Sequence, residues 1–392
     1  MARSAPATDR VHVYVLMDAL GWAVAEPHGF LRQLLPHRRA LRTTLGYSSG
    51  AIPTILTGEA PSTHGHWNLL YLDPQRSPFR WLERIQPATD RLLDNRYGRY
   101  ALGWLGRHQL GLGPSFECAV RPSLLPWFNW AERKHLYEPR SIEQAPTAFD
   151  YWQQAGVRFH IYSHREGKDF DLIRRATAAI EQRRVDTVFV YLCELDHHLH
   201  LHRSEPLAIR DALSEYAPAL EQLAAAAARR DPQMHFRVFS DHGMAPVHTR
   251  LDLARQLEAR GWRMPQDYLA VFDSTMVRCW YFSKAARADI EPWFESLDCG
   301  HVLSDTELRE HGTWFPDRRF GQTIFLLNPG VMIAQGDFNG KGWNPEGMHG
   351  YHPDDPDSDA ALLSNHAADL RMQTIGDLFS CLCEALPARR AA

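Results

Sequence analysis

The sequence has 392 residues, which is enough for one large α/β domain with insertions or for two domains. Hydrophobic residues make up 44% and charged residues 23%, the ordinary composition of a soluble globular protein. The formal net charge of −4 and a pI near 6.6 argue against a general nucleic-acid-binding protein, because no strongly basic face is implied.

The N-terminal segment, MARSAPATDRVHVYVLMDALGW, does not have the pattern of a targeting signal. It has no long uninterrupted apolar stretch and reaches Asp18 almost at once. No apolar run elsewhere is long enough to predict a membrane span. The six cysteines include no CxxC pair. We therefore expect a reduced, cytoplasmic protein.

Four short runs rich in β-branched and aromatic residues predict strands that are buried on both faces. They cover residues 11–18, 157–164, 185–196 and 235–241. Apolar residues at three–four spacing predict a helix over Glu205–Arg230, with Ser204 and Pro206 as start signals and Pro218 as a candidate kink. Strands that alternate with helices predict an α/β fold: a doubly wound, mostly parallel sheet with helices on both faces.

Two stretches interrupt this alternation within what we interpret as a single domain over residues 1–392. Residues 66–155 form an aromatic-rich insertion, which we expect to supply loops and helices near the active site. Residues 245–345 hold short strands and Gly/Pro turns, and predict an inserted cap or small α+β subdomain. Rings of the first stretch could stack on a flat leaving group or could pack its small core. These rings are Trp67, Tyr71, Trp104, Trp127, Phe128 and Trp130.

Carboxylates follow three of the predicted strands. Asp18 and Asp196 end two of them, and the adjacent pair Asp241 and His242 follows a third. Ligands of open α/β sheets bind outside the carboxyl ends of the strands. A single Asp at a strand end is usually a cap or a turn former. Three such ends with neighbouring histidines indicate a metal site.

Two His-rich motifs offer further imidazole ligands. In ELDHHLHLHR, Asp196 and His200 lie four residues apart, so that a helix there would present both to one cation. The segment could also be a His-rich surface turn. Its competing ligands are His197, His198 and His202. In GMHGYHP, His349 follows one glycine closely and precedes another, and the backbone there can approach a site closely.

Six candidate ligands result, with mixed carboxylate and imidazole donors. This number suits two divalent ions roughly 4 Å apart, which can hold the attacking and leaving oxygens of a displacement at phosphorus. Histidine-rich mixed sites favour Zn²⁺, with Mn²⁺ as the alternative, over Mg²⁺. The six residues are Asp18, Asp196, His200, Asp241, His242 and His349.

Five motifs, in chain order, carry a resemblance to a known family. MDALGW, GYSSGAIPTILTGEAPSTHG, ELDHHLH, FSDHGM and GMHGYHP resemble the alkaline phosphatase superfamily, most closely its nucleotide pyrophosphatase/phosphodiesterase branch. The resemblance extends over nearly the whole chain and implies an alkaline phosphatase-like fold. It also implies that Asp18, Asp241 and His242 hold one ion, and that Asp196, His200 and His349 hold the other.

The resemblance distinguishes between two adjacent serines. The family nucleophile lies ten residues before the glycine of a Thr-Gly pair, here Gly58, and this count reaches Ser48. A helix N-terminus and a neighbouring metal would both favour its alkoxide, so Ser48 is expected to contact a metal as well. Ser49 is expected to cap the helix or to bind substrate, and its backbone N–H could be an oxyanion donor.

Two positions depart from the family pattern. The diesterase branch usually has Thr as its nucleophile, where this chain has Ser48. The branch also carries an Asn shortly after its His-Gly pair, and that Asn helps to hold the phosphoryl oxygen. Asn68 in HGHWN is one residue closer than expected. We carry the catalytic and substrate-binding role over to Asn68.

These features predict a two-metal hydrolase that cleaves a phosphodiester or phosphoanhydride through a phosphoryl-serine intermediate at Ser48. Its partner would be a small-molecule phosphoester, and its oligomeric state stays open. A phosphomonoesterase or a phosphonate hydrolase is the main alternative, because the insertions set specificity. A phospho-group transferase is a further alternative.

Three other classes have less support. A sulfatase needs Cys or Ser followed by x-Pro-x-Arg, whereas Ser48 is followed by SGAI. A phosphosugar or phosphoglycerate mutase of related chemistry usually has a larger chain. A non-catalytic binding homologue would retain six costly polar groups at the strand ends without turnover.

Overall fold

A computed structural model describes residues 10–85, 88–112, 120–337 and 343–387. Cys118 and the C-terminal Ala391 and Ala392 lie outside these ranges. The strands are β1 (His12–Met17), β2 (His37–Leu41), β3 (Leu70–Leu72), β4 (Phe128–Trp130), β5 (Phe159–Tyr162), β6 (Thr187–Leu192), β7 (His235–Phe239), β8 (Ala245–Pro246), β9 (Thr249–Leu251), β10 (Tyr268–Phe272), β11 (Met276–Tyr281), β12 (Gly300–Val302), β13 (Thr323–Leu327), β14 (Val331–Ile333), β15 (Gly347–Met348) and β16 (Ala360–Ser364).

The α-helices are α1 (Trp22–Ala25), α2 (Ser48–Thr57), α3 (Pro61–His64), α4 (Thr89–Leu93), α5 (Arg96–His108), α6 (Ala148–Ala155), α7 (Asp169–Glu181), α8 (Glu194–His202), α9 (Pro206–Arg230), α10 (Leu253–Glu258), α11 (Lys284–Glu295), α12 (Asp305–Glu310) and α13 (Leu378–Cys383). Short 3-10 helices cover Arg80–Ile85, Pro122–Trp127, Pro356–Ser358, Ala367–Arg371 and Ile375–Asp377. None of the described helices is both long enough and apolar enough to cross a bilayer. The five described cysteines are unpaired.

A six-stranded sheet in the order β2-β16-β7-β1-β6-β5 forms the centre of the molecule. Strand β16 runs antiparallel to both neighbours, and β5, β6, β1 and β7 run parallel to one another. The mostly parallel sheet was predicted, and all four strands expected from the sequence belong to it. Strands β2 and β16 were not predicted, because HRRAL and AALLS lack the β-branched pattern on which the prediction relied.

Helices cover both faces of this sheet, as predicted. Successive side chains of a strand point to opposite faces. Val13 and Val15 of β1 therefore pack into one core with α7 and α9. Tyr14 and Leu16 pack into a second core with α2, α6 and α13. The two-sided burial explains why β1 is apolar along its whole length.

The segment after β6 differs from the prediction in one respect. We expected the strand to continue to Asp196, but β6 ends at Leu192 and α8 begins at Glu194. The helix begins there because both carboxylate oxygens of Asp169 accept hydrogen bonds from the N–H groups of Cys193 and Glu194. Asp196 thus lies in the first turn of a helix. The next helix, α9, begins at Pro206, one residue after the predicted start at Glu205, and continues through Pro218.

A second, antiparallel sheet of order β10-β11-β13-β12 lies in the predicted cap region. The short pair formed by β8 and β15 joins Ala245–Pro246 to Gly347–Met348, and so connects the two ends of this region. The buried pair Asp273 and Arg278 links the sheet to the aromatic-rich insertion, because Arg278 also donates to the carbonyl of Leu70.

The aromatic-rich insertion contributes to two different cores. Leu70 and Trp130 pack in one core together with Leu269 and Val271 of the antiparallel sheet. Helix α6, at the end of the insertion, packs instead on the central sheet. The first part of residues 66–155 therefore forms a common body with the cap, whereas the last part belongs to the main α/β layers.

Candidate active site

The carboxyl ends of β1 and β7 bring three of the predicted ligands together. Asp18 follows β1 directly, and Asp241 and His242 follow β7 after one residue. His242 Nε2 lies 3.5 Å from Asp18 Oδ1 and 3.3 Å from Asp241 Oδ2. All three side chains are buried, with Asp241 fully inaccessible. The parallel pairing of neighbouring strands thus produces the predicted cluster.

The hydrogen bond and the carboxyl groups around His242 favour a bound cation in this cluster. His242 Nδ1 lies 2.8 Å from the carbonyl oxygen of Gly243, and a carbonyl can only accept, so Nδ1 carries the proton. The lone pair on Nε2 then faces the carboxylate oxygens of Asp18 and Asp241. In the neutral ring, these electron-rich atoms face one another without a hydrogen between them, and they repel one another wherever the carboxyl groups are ionised. A bound cation would remove the repulsion.

A second group forms around Asp196 on α8. His200 Nε2 lies 3.5 Å from Asp196 Oδ2, and His349 Nε2 lies 3.8 Å from Asp196 Oδ1. His200 Nδ1 donates to the carbonyl of Gly347 at 2.8 Å, which again leaves the lone pair on Nε2. The i, i+4 spacing of Asp196 and His200 therefore acts as predicted, on one face of a helix.

Asp196 connects the two groups. Ligand atoms of Asp196, His200 and His349 lie within 4.8 Å of one another, and so do those of Asp18, Asp196 and His242. The rings of His242 and His349 are stacked with their centroids 3.8 Å apart. Asp196 was predicted for one ion only, whereas the structure places it within reach of both positions.

The donor set fits divalent cations. Three carboxylate oxygens and one imidazole nitrogen are buried without any hydrogen-bond partner: Asp18 Oδ1, Asp196 Oδ1, Asp241 Oδ2 and His349 Nδ1. Burial, followed by the charges of Asp241 and Asp196, raises the pKa of Asp18 well above its usual value. Burial, His242 and His200 lower the pKa of His349 far below its usual value, so that its ring is neutral and can donate a lone pair. Closely spaced carboxylates and neutral imidazoles are what a divalent ion binds.

Ser48 is the first residue of α2 and borders the cluster. Its Oγ lies 2.8 Å from His242 Nε2, and the hydroxyl donates to this nitrogen when the ring is neutral with its proton on Nδ1. The N-cap is Tyr47, which makes no side-chain capping bond. The N–H groups of the first helical turn lack intrahelical partners and carry partial positive charge. Ser48 is half-buried and therefore reachable by a substrate.

The Ser49 hydroxyl neither caps α2 nor is free to bind substrate. Its Oγ donates to the carbonyl of Trp67 at 2.9 Å, and the residue is buried. The expectation that Ser49 caps the helix is therefore wrong, because the hydroxyl fastens the N-terminus of α2 to the neighbouring loop. The substrate-binding role of Ser49 through its backbone N–H, which lies in the first turn, stays a prediction.

Asn68 directly follows Trp67, whose carbonyl accepts the hydrogen bond from Ser49. It is buried, and its Nδ2 donates to Met276 Sδ at 3.7 Å. The loop is close to α2, because a Cβ on Gly50 would lie 3.1 Å from the Trp67 carbonyl oxygen. The structure thus places Asn68 beside the N-terminus of α2, and its contact with a phosphoryl oxygen stays a prediction.

The other histidines of ELDHHLHLHR do not join the cluster. His198 Nε2 lies 3.2 Å from the carbonyl oxygen of Ala208, and His202 Nδ1 lies 3.1 Å from Glu205 Oε1. His197 is exposed and stacks on Trp343. Of the histidines of this motif, only His200 therefore lies on the same face of α8 as Asp196 and belongs to the cluster.

Most of the candidate stacking rings serve packing. Trp67, Phe128 and Trp130 are buried, and Trp67 Nε1 donates to the Leu45 carbonyl at 2.6 Å. Tyr71 is partly buried against the core that contains Trp67, and Trp127 is partly buried against the core that contains Phe128 and Trp130. Trp104 is the exception, since its ring is exposed on α5.

Tyr191 is a site residue that the sequence reasoning missed. Its hydroxyl donates to Asp18 Oδ2 at 2.5 Å, so that Asp18 turns its other oxygen towards His242. A tyrosine in a buried strand is ordinary, and no motif marks it. Trp343 was also missed, although its ring meets that of His200 edge-on at 5.7 Å.

The sequence profile of the type I phosphodiesterase/nucleotide pyrophosphatase family matches residues 47–352, which is more than half of the chain. The chain belongs to this family. It is a phosphoric ester hydrolase, and the resemblance drawn from its five motifs is confirmed. No curated protein sequence matches this phosphodiesterase family member.

Two solved structures of similar fold are hydrolases of different kinds. The inactive variant of murine ectonucleotide pyrophosphatase/phosphodiesterase 5 in complex with AMP is 15% identical, with a TM-score of 0.66, over 96% of this chain and 95% of that chain. Phosphonoacetate hydrolase from Sinorhizobium meliloti 1021 in complex with phosphonoformate is 12% identical, with a TM-score of 0.62, over 96% of each chain. Both likenesses confirm the alkaline phosphatase-like fold.

Replacing Tyr191 by Phe should weaken metal binding while leaving the fold intact. Removing the hydrogen bond frees Asp18 to rotate, and the loss of such an outer partner typically costs about 10- to 100-fold in metal affinity. Zinc titration of the metal-free protein would measure it. Tyr14→Phe is the matched control, because Tyr14 lies in the same core as Tyr191 but its hydroxyl donates to the Cys381 carbonyl and not to a candidate ligand. An equal loss of affinity in both variants would show a general packing effect.

Proposed function

We propose that this protein is a two-metal hydrolase that cleaves a phosphodiester or phosphoanhydride through a phosphoryl-serine intermediate on Ser48. One observation carries the proposal: the Ser48 hydroxyl lies 2.8 Å from His242 Nε2, at the edge of a buried cluster in which three carboxyl groups each have one oxygen without a hydrogen-bond partner. A nucleophile in that position would attack phosphorus next to the carboxylates and imidazoles that would hold the cations.

The distances within the cluster support two ion positions. Asp18, Asp241 and His242 would hold one ion, and His200 and His349 would hold the other, with Asp196 within reach of both. Zn²⁺ suits this mixture of imidazole and carboxylate donors, and Mn²⁺ is the alternative. Such ions would supply Lewis-acid stabilisation of negative charge on the reacting oxygens.

The chain's own groups then account for the reaction. Ser48 Oγ releases its proton to solvent and attacks phosphorus, the bond from phosphorus to the leaving oxygen breaks, that oxygen takes up a proton from solvent, and a phosphoryl-serine forms. Water attacks the same phosphorus, and Ser48 Oγ departs. The N–H of Ser49 and the amide of Asn68 would donate to the phosphoryl oxygens. Tyr191 holds Asp18 in place throughout.

The solved relatives favour one alternative substrate class. The murine relative was captured with AMP, the product expected from a nucleotide phosphodiester or phosphoanhydride. The bacterial relative is a phosphonoacetate hydrolase, which makes a phosphonate the specific alternative. Both substrates present a tetrahedral phosphorus to the same nucleophile.

The deciding experiment compares substrates on one metal-analysed sample. The purified protein would be assayed with bis-p-nitrophenyl phosphate, p-nitrophenyl phosphate, phosphonoacetate and p-nitrophenyl sulfate. We expect about two zinc ions per chain and the highest kcat/KM for the diester. A preference for the monoester or the phosphonate would move the function to that class. Absence of bound metal would overturn the proposed site.

A further inference from the structure

Helix α5 of the aromatic-rich insertion presents an unusual surface. Twelve large apolar side chains are exposed among the described residues, and six of them lie between residues 81 and 104. These six are Trp81, Ile85, Leu92, Tyr97, Tyr100 and Trp104. Three are on α5 itself, where Tyr97 is 81%, Tyr100 71% and Trp104 46% exposed. Single exposed apolar residues are normal, but such a concentration indicates an interaction surface.

The three rings of α5 form one stripe, which we call the aromatic face. At about 100° per residue, Tyr97, Tyr100 and Trp104 fall within an arc of about 60°. The buried residues of the helix, Gly98, Leu102, Gly103 and Gly106, lie on the other side. The helix thus buries small residues and displays its largest rings, the reverse of an ordinary surface helix.

The aromatic face belongs to a well-defined helix. Asn95 caps α5, since its side-chain oxygen accepts hydrogen bonds from the N–H groups of Tyr97 and Gly98 at 3.1 Å. Leu102 packs into the core shared with the antiparallel sheet. The backbone is also close-packed, because a Cβ on Gly98 would lie 2.4 Å from the Leu93 carbonyl oxygen. The orientation of the rings follows from this packing.

The segment that carries the aromatic face has an excess of positive charge. Residues 76–108 contain seven arginines and only three acidic residues, a formal excess of four, whereas the whole chain carries −4. Two of the acids are engaged: Asp90 accepts from the Ser123 N–H and hydroxyl, and Asp94 pairs with Arg99 at 2.6 Å. The arginines are Arg76, Arg80, Arg84, Arg91, Arg96, Arg99 and Arg107.

We propose that the aromatic face binds the surface of an anionic lipid bilayer. Tyr and Trp rings favour the headgroup region, because one end of the ring is apolar and the other is polar. Exposed arginines of the same segment, such as Arg91 and Arg96, would meet lipid phosphates, because an anionic surface attracts nearby basic residues. A symmetric dimer through this face would instead bring the two arginine clusters together.

This surface would place the catalytic body on a membrane. Strand β3 begins two residues after Asn68 and pairs with β4, whose Phe128 and Trp130 pack in the same core as Leu102 of α5. The aromatic face and the loop of Asn68 therefore belong to one packed unit. Membrane binding would be peripheral and independent of turnover, so it can be tested apart from the proposed chemistry.

Vesicle sedimentation of the full chain tests the proposal. Vesicles of phosphatidylcholine alone would be compared with vesicles that contain phosphatidylglycerol as well. We expect binding to the anionic vesicles only, and at least tenfold weaker binding at high salt. Tyr97→Ser/Tyr100→Ser/Trp104→Ser should reduce the bound fraction at least tenfold. Arg91→Glu/Arg96→Glu should do the same, by reversing two charges.

Matched controls separate the surface from general effects. Leu207→Ser removes a side chain that is 66% exposed on α9, and Arg174→Glu/Arg210→Glu reverses two exposed charges elsewhere. Both should bind as the wild type does, and thermal unfolding would confirm that all variants are folded. Equal binding of the wild type and the aromatic-face variant would overturn the proposal. So would a dimer that the aromatic-face variant abolishes in the absence of vesicle binding.

Discussion

Replacing Ser48 by alanine is expected to lower kcat by about 10⁴-fold or more, because the reaction loses its nucleophile. The metal content should stay close to that of the wild type, since the six carboxylate and imidazole ligands remain. The measurement is steady-state kinetics with bis-p-nitrophenyl phosphate, together with zinc analysis of the same sample. Mass spectrometry of the acid-quenched wild type should find the phosphoryl group on Ser48.

Two neighbouring substitutions control this experiment. Ser48→Thr should retain turnover, because it keeps a hydroxyl at the first position of α2. Ser49→Ala should retain turnover as well and lose only about 1 kcal/mol of stability, the value of its hydrogen bond to the Trp67 carbonyl. Undiminished turnover in Ser48→Ala would contradict the nucleophile assignment, and complete loss in Ser49→Ala would transfer that role to Ser49.

Replacing Asp196 by asparagine is expected to remove bound metal from both positions and to lower kcat/KM by about 10³-fold or more. The reason is that Asp196 lies within reach of both ligand groups. Metal analysis after dialysis and zinc titration would measure the loss. His198→Gln is the control on the same helix, because His198 Nε2 faces the Ala208 carbonyl and not the cluster.

The same variant should change stability in opposite directions with and without metal. In EDTA, Asp196→Asn should unfold at a higher temperature than the wild type, because one of the charges that raise the pKa of Asp18 is gone. In zinc, the wild type should be the more stable, since ligand binding to the folded state stabilises it by several kcal/mol. Thermal unfolding in the two buffers measures this. A lower unfolding temperature of the variant in both buffers would contradict the electrostatic account.

The ligands that the sequence indicated share a simple topological cause. Asp18, Asp241 and His242 follow strands that are parallel neighbours, and parallel strands end at one edge of the sheet. Asp196 and His200 are four residues apart on a helix, where that spacing is sufficient to make them neighbours. Local patterns therefore predicted these five residues, although Asp196 was assigned to a strand.

The partners of the ligands could not be predicted in the same way. Tyr191 reaches Asp18 across 173 positions of the chain, and the Gly347 carbonyl orients His200 across 147. Such contacts depend on side-chain rotamers and on strand register. The hydrophobic periodicity of the sequence contains no information on either the rotamers or the register. For the same reason nothing in the sequence showed that the Ser49 hydroxyl would be engaged by the Trp67 carbonyl.

The sequence by itself determined four strands of the central sheet, the helical layers on its two faces and the edge at which the acids and histidines meet, whereas Ser48 was singled out by the family resemblance. These depend on hydrophobic periodicity and on residue order, which are local properties of the chain. Only the tertiary structure decided that Asp196 serves both groups, that the aromatic-rich insertion shares a core with the antiparallel sheet, and that α5 turns its rings outward. Each of these depends on packing between segments that are distant in sequence, and the free energy of that packing is set by complementary shapes that no single segment contains.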